Sequence, residues 1–139
     1  RLGELKSKGL PSLAVAPPRE FEGPGDRWTP EHLYVASITS CFMITFLAIA
    51  GNSKLELVSF RVSGRGKLEK VEGVGYQISE VVLKPTLVIR SVADLDRAGR
   101  ILEKAKKSCL ITNSVKSLIK LEPELYHQAS QTIPCPPVG

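Results

Sequence analysis

The chain has 139 residues, of which 42% are hydrophobic and 24% charged, a composition typical of one globular domain and unlike that of a disordered protein. The net charge is +5, but the Lys and Arg residues are scattered and no basic stripe alternates with aromatic residues, which argues against a nucleic-acid partner. The three cysteines have no zinc-finger or CxxC spacing and are too few for a secreted disulfide scaffold. We therefore expect a cytoplasmic, reducing compartment, and the polar start shows no signal-peptide pattern.

The first 28 residues predict little regular structure. Leu13 and Val15 alternate with smaller residues and predict a short extended segment. Residues 16–28 are rich in Pro and Gly, which excludes a long helix or strand and predicts an ordered loop or a lid.

The next stretch predicts the central helix of the domain, over residues 29–50. Thr29 suits the N-cap, Pro30 the first helical position and Glu31 the positive end of the helix dipole, while Gly51-Asn52 predicts the C-cap. No charged residue occurs between Leu33 and Ala50, so we expect this helix to be buried nearly all round.

A membrane span is the alternative for this helix, because its uncharged run just reaches the required length. The run contains hydroxyl side chains, however, and no basic cluster flanks either end. A core helix is therefore the better interpretation, with no membrane partner.

The rest of the chain predicts a sheet, a second helix and a tail. The predicted elements are a strand over Leu55–Ser63, a turn at Gly64–Gly66, an extension over Lys67–Val71, a turn at Gly73–Gly75, a strand over Tyr76–Ile89 with Pro85 marking an edge or bulge, a helix over 94–108, a short helix or turn at Asn113-Ser114, and a closing strand over Val115–Leu121. This order predicts an α+β domain over residues 1–121, with helices on an antiparallel sheet, and a loose Pro-rich tail over 122–139. Because one small sheet covers only one face of an apolar helix, we also expect a homodimer.

Two cysteines near helices are candidates for chemistry. Cys41 lies in the middle of the central helix and Cys109 at the end of the second. Either can be a plain core residue, but together they fit a redox pair in which one thiol becomes a sulfenic acid and the other condenses with it. A reactive thiolate requires a nearby cation or hydrogen-bond donors. The candidate cations are Arg1, Arg19 and Arg27.

Glu31 precedes Cys41 by about three helical turns, roughly 15 Å. It cannot touch Cys41 of its own helix. It either serves the site of a neighbouring subunit by fixing an arginine there, or is only an acid favoured by the helix dipole.

Three motifs resemble the OsmC/Ohr family, the osmotically inducible protein C and organic hydroperoxide resistance proteins. Thr29-Pro30-Glu31 followed by Ser40-Cys41-Phe42 resembles the N/T-P-E…A-C-F signature of that family's central helix. Cys109 with Thr112-Asn113-Ser114 resembles its second-cysteine motif, usually C-P-x-S-N/R, and Arg1-Leu2-Gly3…Ser7 resembles its R-x-G…S segment. The resemblance covers roughly residues 1–121.

The resemblance implies an intertwined homodimer that reduces organic hydroperoxides in oxidative or osmotic stress defence. Cys41 matches the peroxidatic cysteine, Cys109 the resolving cysteine, Glu31 the glutamate that holds an arginine over the thiolate, and Arg1 that arginine. A dithiol, dihydrolipoyl-type in the Ohr branch, would regenerate the enzyme, and neither a metal nor a bound cofactor is implied. Trp28 and Phe42 would admit the alkyl tail of the substrate.

The departures from the motif place the chain in a divergent OsmC-like branch. Leu110 stands where proline is usual, and Ser37–Ser40 replaces a run of small Ala and Gly residues.

The alternative function is a non-catalytic dimer that binds a small apolar or thiol-bearing ligand. His32 either lines the site or is a surface residue, and no role is assigned to His127. Cys135 is expected to be an idle thiol, and the two helix cysteines lack further ligands at a spacing that would suit zinc.

Overall fold

The computed structural model describes residues 1–128 and has the α+β architecture that the sequence predicts. The elements are β1 (Gly3–Leu5), β2 (Leu13–Val15), α1 (Pro30–Asn52), β3 (Leu57–Val71), β4 (Gly75–Ile89), α2 (Leu95–Ser108), β5 (Leu118–Leu121) and β6 (Glu124–His127), with short 3₁₀ turns at Arg19–Phe21, Val92–Asp94 and Thr112–Ser114. Cys135 lies outside the described residues.

The main sheet is mixed rather than purely antiparallel. β3 and β4 pair antiparallel along nearly their whole length, whereas β5 and β6 both pair parallel with the other edge of β4. The parallel pairing arises because α2 crosses over between β4 and β5 and returns the chain to the end of the sheet where β4 begins. β4 is therefore a central strand.

Two sequence predictions about the sheet are wrong. Pro85 is fully buried in central β4, at the break between the segments that pair with β5 and β6. It neither lies on an edge nor marks a bulge in the pairing with β3. Residues 124–127, expected to belong to a loose tail, form β6. Leu125 of β6 lies near Gly99 of α2. Packing against this helix therefore stabilises the short strand.

The predicted turn at Gly64–Gly66 is also wrong, since β3 runs straight through it. A Cβ atom at position 64 would overlap the Thr39 hydroxyl oxygen and lie 3.1 Å from a Val35 methyl group, and one at position 66 would lie 2.8 Å from Val35. These glycines allow α1 to approach the sheet closely. Close helix packing, and not a change of chain direction, explains their presence.

Replacing Gly64 by alanine is expected to lower the free energy of unfolding by about 1–3 kcal/mol, because the added methyl group overpacks the contact with Thr39. Denaturant unfolding measures the change. The control is Gly99→Ala in α2, where the nearest atom lies 3.9 Å away and alanine favours the helix. Adding Thr39→Ala to Gly64→Ala should restore part of the loss; equal stability of Gly64→Ala and the wild type would contradict this packing.

Both ends of α1 are capped by specific hydrogen bonds. The Thr29 hydroxyl accepts from the His32 N–H at 3.1 Å, and His32 Nδ1 accepts from the Thr29 N–H at 3.2 Å, which completes a capping box. At the other end Lys54, with φ 55°, takes the left-handed position that was predicted for Gly51-Asn52. Its N–H and that of the buried Leu55 bond back to α1 in a Schellman motif.

One face of α1 and the inner face of the sheet form the core. Only Ile38, Phe42, Phe46 and Ala50 of α1 are buried within the described chain. They pack with residues of β4 and α2 that include Leu83, Leu87, Ile101, Leu102 and Ala105. The expectation that α1 is buried nearly all round is therefore not met in a single chain.

The opposite face of α1 is apolar and exposed. We call it the outer stripe, and it consists of Ser40, Ile44, Leu47, Ala48 and Gly51. Ile44 is 63% exposed and Leu47 44%. A sheet that packs on one side of the helix cannot reach this stripe, which is the physical reason that the burial prediction fails for the single chain.

Candidate functional site

The two predicted redox cysteines are neighbours in the fold. Cys41 lies in the middle of α1, and Cys109 caps the C-terminus of α2, which packs against α1. Interaction between the two thiols is one of the causes that shift their pKa values in opposite directions. Cys109 is fully buried and Cys41 is partly exposed, and both are free thiols. Helix packing thus brings together two sulfur atoms that are far apart in sequence.

Hydrogen-bond donors surround the Cys41 sulfur. Burial by itself raises the pKa of Cys41, but hydrogen bonds from Cys109, the Ile111 backbone, the Thr45 side chain and the Leu110 backbone together hold that pKa below its ordinary value. These donors favour the charged form. Cys41 is therefore the thiol that ionises first.

The environment of Cys109 has the opposite effect. Burial raises the pKa of Cys109, and its hydrogen bond to Cys41 raises it further. The Thr112 N–H lies 3.4 Å from its sulfur and orients the side chain. Cys109 thus stays a protonated thiol that donates to its partner, which is the arrangement expected of an attacking and a resolving cysteine.

At pH 7 iodoacetamide is expected to alkylate Cys41 at least about tenfold faster than Cys109, because the thiolate is the nucleophile and only Cys41 is favoured as one. Site-resolved mass spectrometry of the Cys135→Ser protein measures both rates without interference from the third thiol. The same measurement in denaturant should show similar rates for the two cysteines. Faster labelling of Cys109 in the folded protein would contradict this order.

Glu31 lies in a different place, at an apolar groove of about 660 Å³. One oxygen of its carboxylate, Oε2, is buried and has no hydrogen-bond partner within the described chain. The groove runs between the start of α1 and β3, and its lining includes Trp28, Val35, Thr39, Leu68 and Ile78 but not Cys41. Glu31 and Cys41 of one chain therefore do not share a pocket, as the helical spacing predicts.

None of the three candidate arginines is seen bound to Glu31 in the described chain. Arg1 donates to the Phe21 carbonyl at 2.7 Å and lies 3.6 Å from Glu22. Arg27 lies 3.9 Å from Asp26, and Arg19 packs over Gly25. The contacts observed within the described chain therefore do not link any of these arginines to Glu31.

Two other sequence assignments change. Phe42 is fully buried in the core and cannot admit a substrate tail, so that prediction is wrong, whereas Trp28 is 46% exposed and lines the groove. His32 also lines the groove, and its ring nitrogen serves the helix cap. His127 lies in β6, with Nδ1 buried and without a partner in the described chain.

The donors to Cys41 are the part of the site that the sequence analysis missed. Thr45 lies one turn after Cys41 on the same face of α1, so the i, i+4 spacing contained the signal. The backbone groups of Leu110 and Ile111 carried no side-chain signal. Within residues 1–128, no three His, Cys, Asp or Glu side chains are arranged to hold a metal ion.

The family model described as OsmC-like protein matches residues 23–124. The chain belongs to the OsmC-like protein family. It is 25% identical over 126 residues to the uncharacterized protein YmaD of Bacillus subtilis, an alignment that covers 88% of this chain and 83% of YmaD. The predicted family is therefore confirmed, whereas the similarity to YmaD does not indicate an activity.

Solved structures show the same OsmC fold. An OsmC-like protein of unknown function from Vibrio cholerae superposes with a TM-score of 0.81 at 23% identity, covering 88% of this chain and 84% of that one. An organic hydroperoxide resistance protein OsmC from Legionella pneumophila superposes with a TM-score of 0.67 at 19% identity, covering 91% and 95%. At such identities the likeness establishes the fold.

The same comparison bears on the membrane alternative. By length and composition α1 is apolar enough to cross a membrane, a property that the core helix of a soluble protein shares. In this OsmC-like fold α1 packs against its own sheet and α2, which supports the core-helix interpretation.

Proposed function

We propose that this OsmC-like protein is a cysteine-based peroxidase that reduces organic hydroperoxides with a dithiol as the reductant. The observation that carries the proposal is the interacting pair of thiols, in which the pKa of Cys41 is lowered and that of Cys109 is raised. The proposed location is the cytoplasm, where thiols stay reduced.

The proposed reaction has three steps. The Cys41 thiolate attacks the terminal oxygen of ROOH, the O–O bond breaks, and the departing alkoxide takes a proton to become the alcohol ROH. Cys41 is left as a sulfenic acid. The Cys109 sulfur then attacks the Cys41 sulfur, a disulfide forms and water leaves. A dithiol reduces this disulfide by exchange, which restores both thiols and oxidises the dithiol.

A homodimer completes the proposed site. The exposed outer stripe of α1 needs apolar cover, and the N-terminal β1–β2 hairpin leaves Leu2, Leu5 and Leu10 exposed at 48–67%. We infer that the hairpin packs on the second subunit, so that Arg1 of the partner subunit reaches the unpaired Glu31 oxygen. Such an ion pair would satisfy a buried carboxylate that has no partner in one chain.

The test is oxidation of the reduced Cys135→Ser protein with one equivalent of cumene hydroperoxide. Peptide mapping under non-reducing conditions should identify a Cys41–Cys109 disulfide, and dihydrolipoamide should sustain turnover. A protein that consumes no hydroperoxide with any of a panel of dithiols, and that forms no such disulfide, would overturn the proposal.

The apolar groove favours the second candidate, a dimer that binds a small apolar ligand without chemistry. The groove has a volume of about 660 Å³, and its lining does not include Cys41 or Cys109. That function predicts saturable quenching of Trp28 fluorescence by such a ligand in a protein that shows no hydroperoxide turnover.

A further inference from the structure

Residues 109–117, which we call the α2–β5 segment, join α2 to β5 and form a compact turn that begins at Cys109. The Asn113 N–H donates to the Cys109 carbonyl at 3.1 Å, and the Ser114 N–H donates to the Ile111 carbonyl at 2.9 Å. These bonds connect residues three and four positions apart, so they hold the segment together as one unit. A displacement at its far end is therefore expected to reach Cys109.

A chain of hydroxyl hydrogen bonds ties the far end of the α2–β5 segment to α1. Ser117 is 7% exposed, and its hydroxyl donates to the Ile78 carbonyl of β4. The hydroxyl oxygen of Tyr34 lies 2.6 Å from the Ser117 Oγ. Because a serine hydroxyl carries a single hydrogen, the Tyr34 hydroxyl is the donor in this contact. One buried serine thus joins α1, the segment and β4.

Tyr34 and Cys41 lie on the same face of α1, seven residues or about 10 Å apart along the helix axis. The α2–β5 segment packs against α1 through the turn at Thr112–Ser114. Cys109 begins the segment at the end of α2, which also packs against α1, and Ser117 ends it at Tyr34. α1 therefore supports the segment at both of its ends.

We propose that Tyr34 is a positioning residue for the thiol pair, because its hydroxyl acts through Ser117 to hold the α2–β5 segment, and with it Cys109, in place for attack on Cys41. Its role in turnover rests on the proposed peroxidase function, whereas its role in placing the two thiols does not. The two sulfur atoms must come within about 2 Å when a disulfide forms. A small misplacement of a reacting atom slows such an intramolecular step strongly.

The experiment is the reaction of the reduced Cys135→Ser protein with one equivalent of Ellman's reagent, which requires no peroxide. The partly exposed Cys41 attacks the reagent as a thiolate, forms a mixed disulfide and releases one thionitrobenzoate. The Cys109 thiolate then attacks the Cys41 sulfur, so that the Cys41–Cys109 disulfide forms and the second thionitrobenzoate leaves. The second release is unimolecular, and its rate reports the placement of Cys109.

Tyr34→Phe removes the hydroxyl and keeps the aromatic ring. It is expected to slow the second release by about fivefold, because one hydrogen bond that holds the segment is lost, while the first release keeps the parent rate. The pH midpoint of the second release should stay at the parent value and only the plateau should fall, since the placement of Cys109 changes and its ionisation does not.

Ser117→Ala addresses the same contact from the segment. It should slow the second release at least as much as Tyr34→Phe, and the double variant should be no slower than Ser117→Ala, because both substitutions remove one shared interaction. Circular dichroism verifies the fold of each variant. If Ser117→Ala does not fold, Tyr34→Phe alone decides the result.

Tyr126→Phe is the matched control. It also removes a tyrosine hydroxyl, but one that lies 3.2 Å from an oxygen of the exposed Glu124 in β6 and outside the α2–β5 segment. Both releases of thionitrobenzoate should keep the parent rate in this variant. A slower second release in Tyr126→Phe would show that any lost tyrosine hydroxyl has this effect, and would overturn the positioning role of Tyr34.

The outcomes separate this inference from the proposed function. A second release that keeps the parent rate in Tyr34→Phe, or that slows together with a shifted pH midpoint, would overturn the positioning role. A parent that releases only one thionitrobenzoate would overturn it as well. A slower second release with an unchanged midpoint, in a protein without hydroperoxide turnover, would support the positioning role and reject the peroxidase.

Discussion

Replacing Cys41 by serine is expected to lower the rate of organic hydroperoxide reduction by at least about 10³-fold, since a hydroxyl has no accessible anion at neutral pH to attack the O–O bond. The donors around the sulfur cannot compensate, because they stabilise an anion that serine does not form. The measurement is consumption of cumene hydroperoxide under a saturating dithiol. The control is Cys135→Ser, which should retain the full rate.

The Cys109→Ser variant tests the second half of the mechanism. Cys41 should still react once with the hydroperoxide, but without the resolving thiol its sulfenic acid should persist and be trapped by dimedone. The adduct should appear in Cys109→Ser and be nearly absent from the parent, where the disulfide forms instead. Equal trapping in both proteins would show that Cys109 does not resolve the intermediate.

Replacing Ile44 by glutamate is expected to convert the proposed homodimer into monomers, raising its dissociation constant by at least about 100-fold. Ile44 is the most exposed large residue of the outer stripe, at 63%. In a two-fold interface the substitution is present in both subunits and therefore buries two unpaired carboxylates. Burying an unpaired charge costs several kcal/mol. Sedimentation velocity over a range of protein concentrations measures the change.

Val92→Glu provides the matched control, because Val92 has a similar exposure of 58% but precedes α2 and is not part of the outer stripe. It should remain dimeric. If Ile44→Glu dissociates the dimer, hydroperoxide turnover should fall with it, since Arg1 of the partner subunit would no longer reach Glu31. A dimer that tolerates Ile44→Glu would place the interface elsewhere and leave the outer stripe unexplained.

Local chemistry made several elements predictable. The start of α1 follows from Thr29 and Pro30, the tip of the β3–β4 hairpin from Gly73–Gly75, and α2 from its helical apolar spacing. The capping and turn signals act over fewer than about five residues, and the apolar spacing of α2 repeats within a single helix. The approximate positions of Cys41 and Cys109 on their helices were predictable for the same reason.

Errors arose where a residue serves a distant contact. Gly64 and Gly66 have the local pattern of a turn, but they accommodate Val35 and Thr39 of α1. Pro85 has the local pattern of an edge-strand residue, but it lies in central β4, between the segment that pairs with β5 and the segment that pairs with β6. Glycine and proline have both a conformational and a steric use, and sequence alone does not show which one applies.

The sequence by itself determined the family, the order of most elements and the two thiols, because these depend on residue types at fixed spacing. Tertiary structure decided the direction of β5 and β6, the burial of Phe42 and the donors that Leu110 and Ile111 present to Cys41. Backbone N–H groups are common to every residue except proline, so their orientation leaves no trace in the sequence. Only the packing of α2 against α1 determines which sulfur they reach.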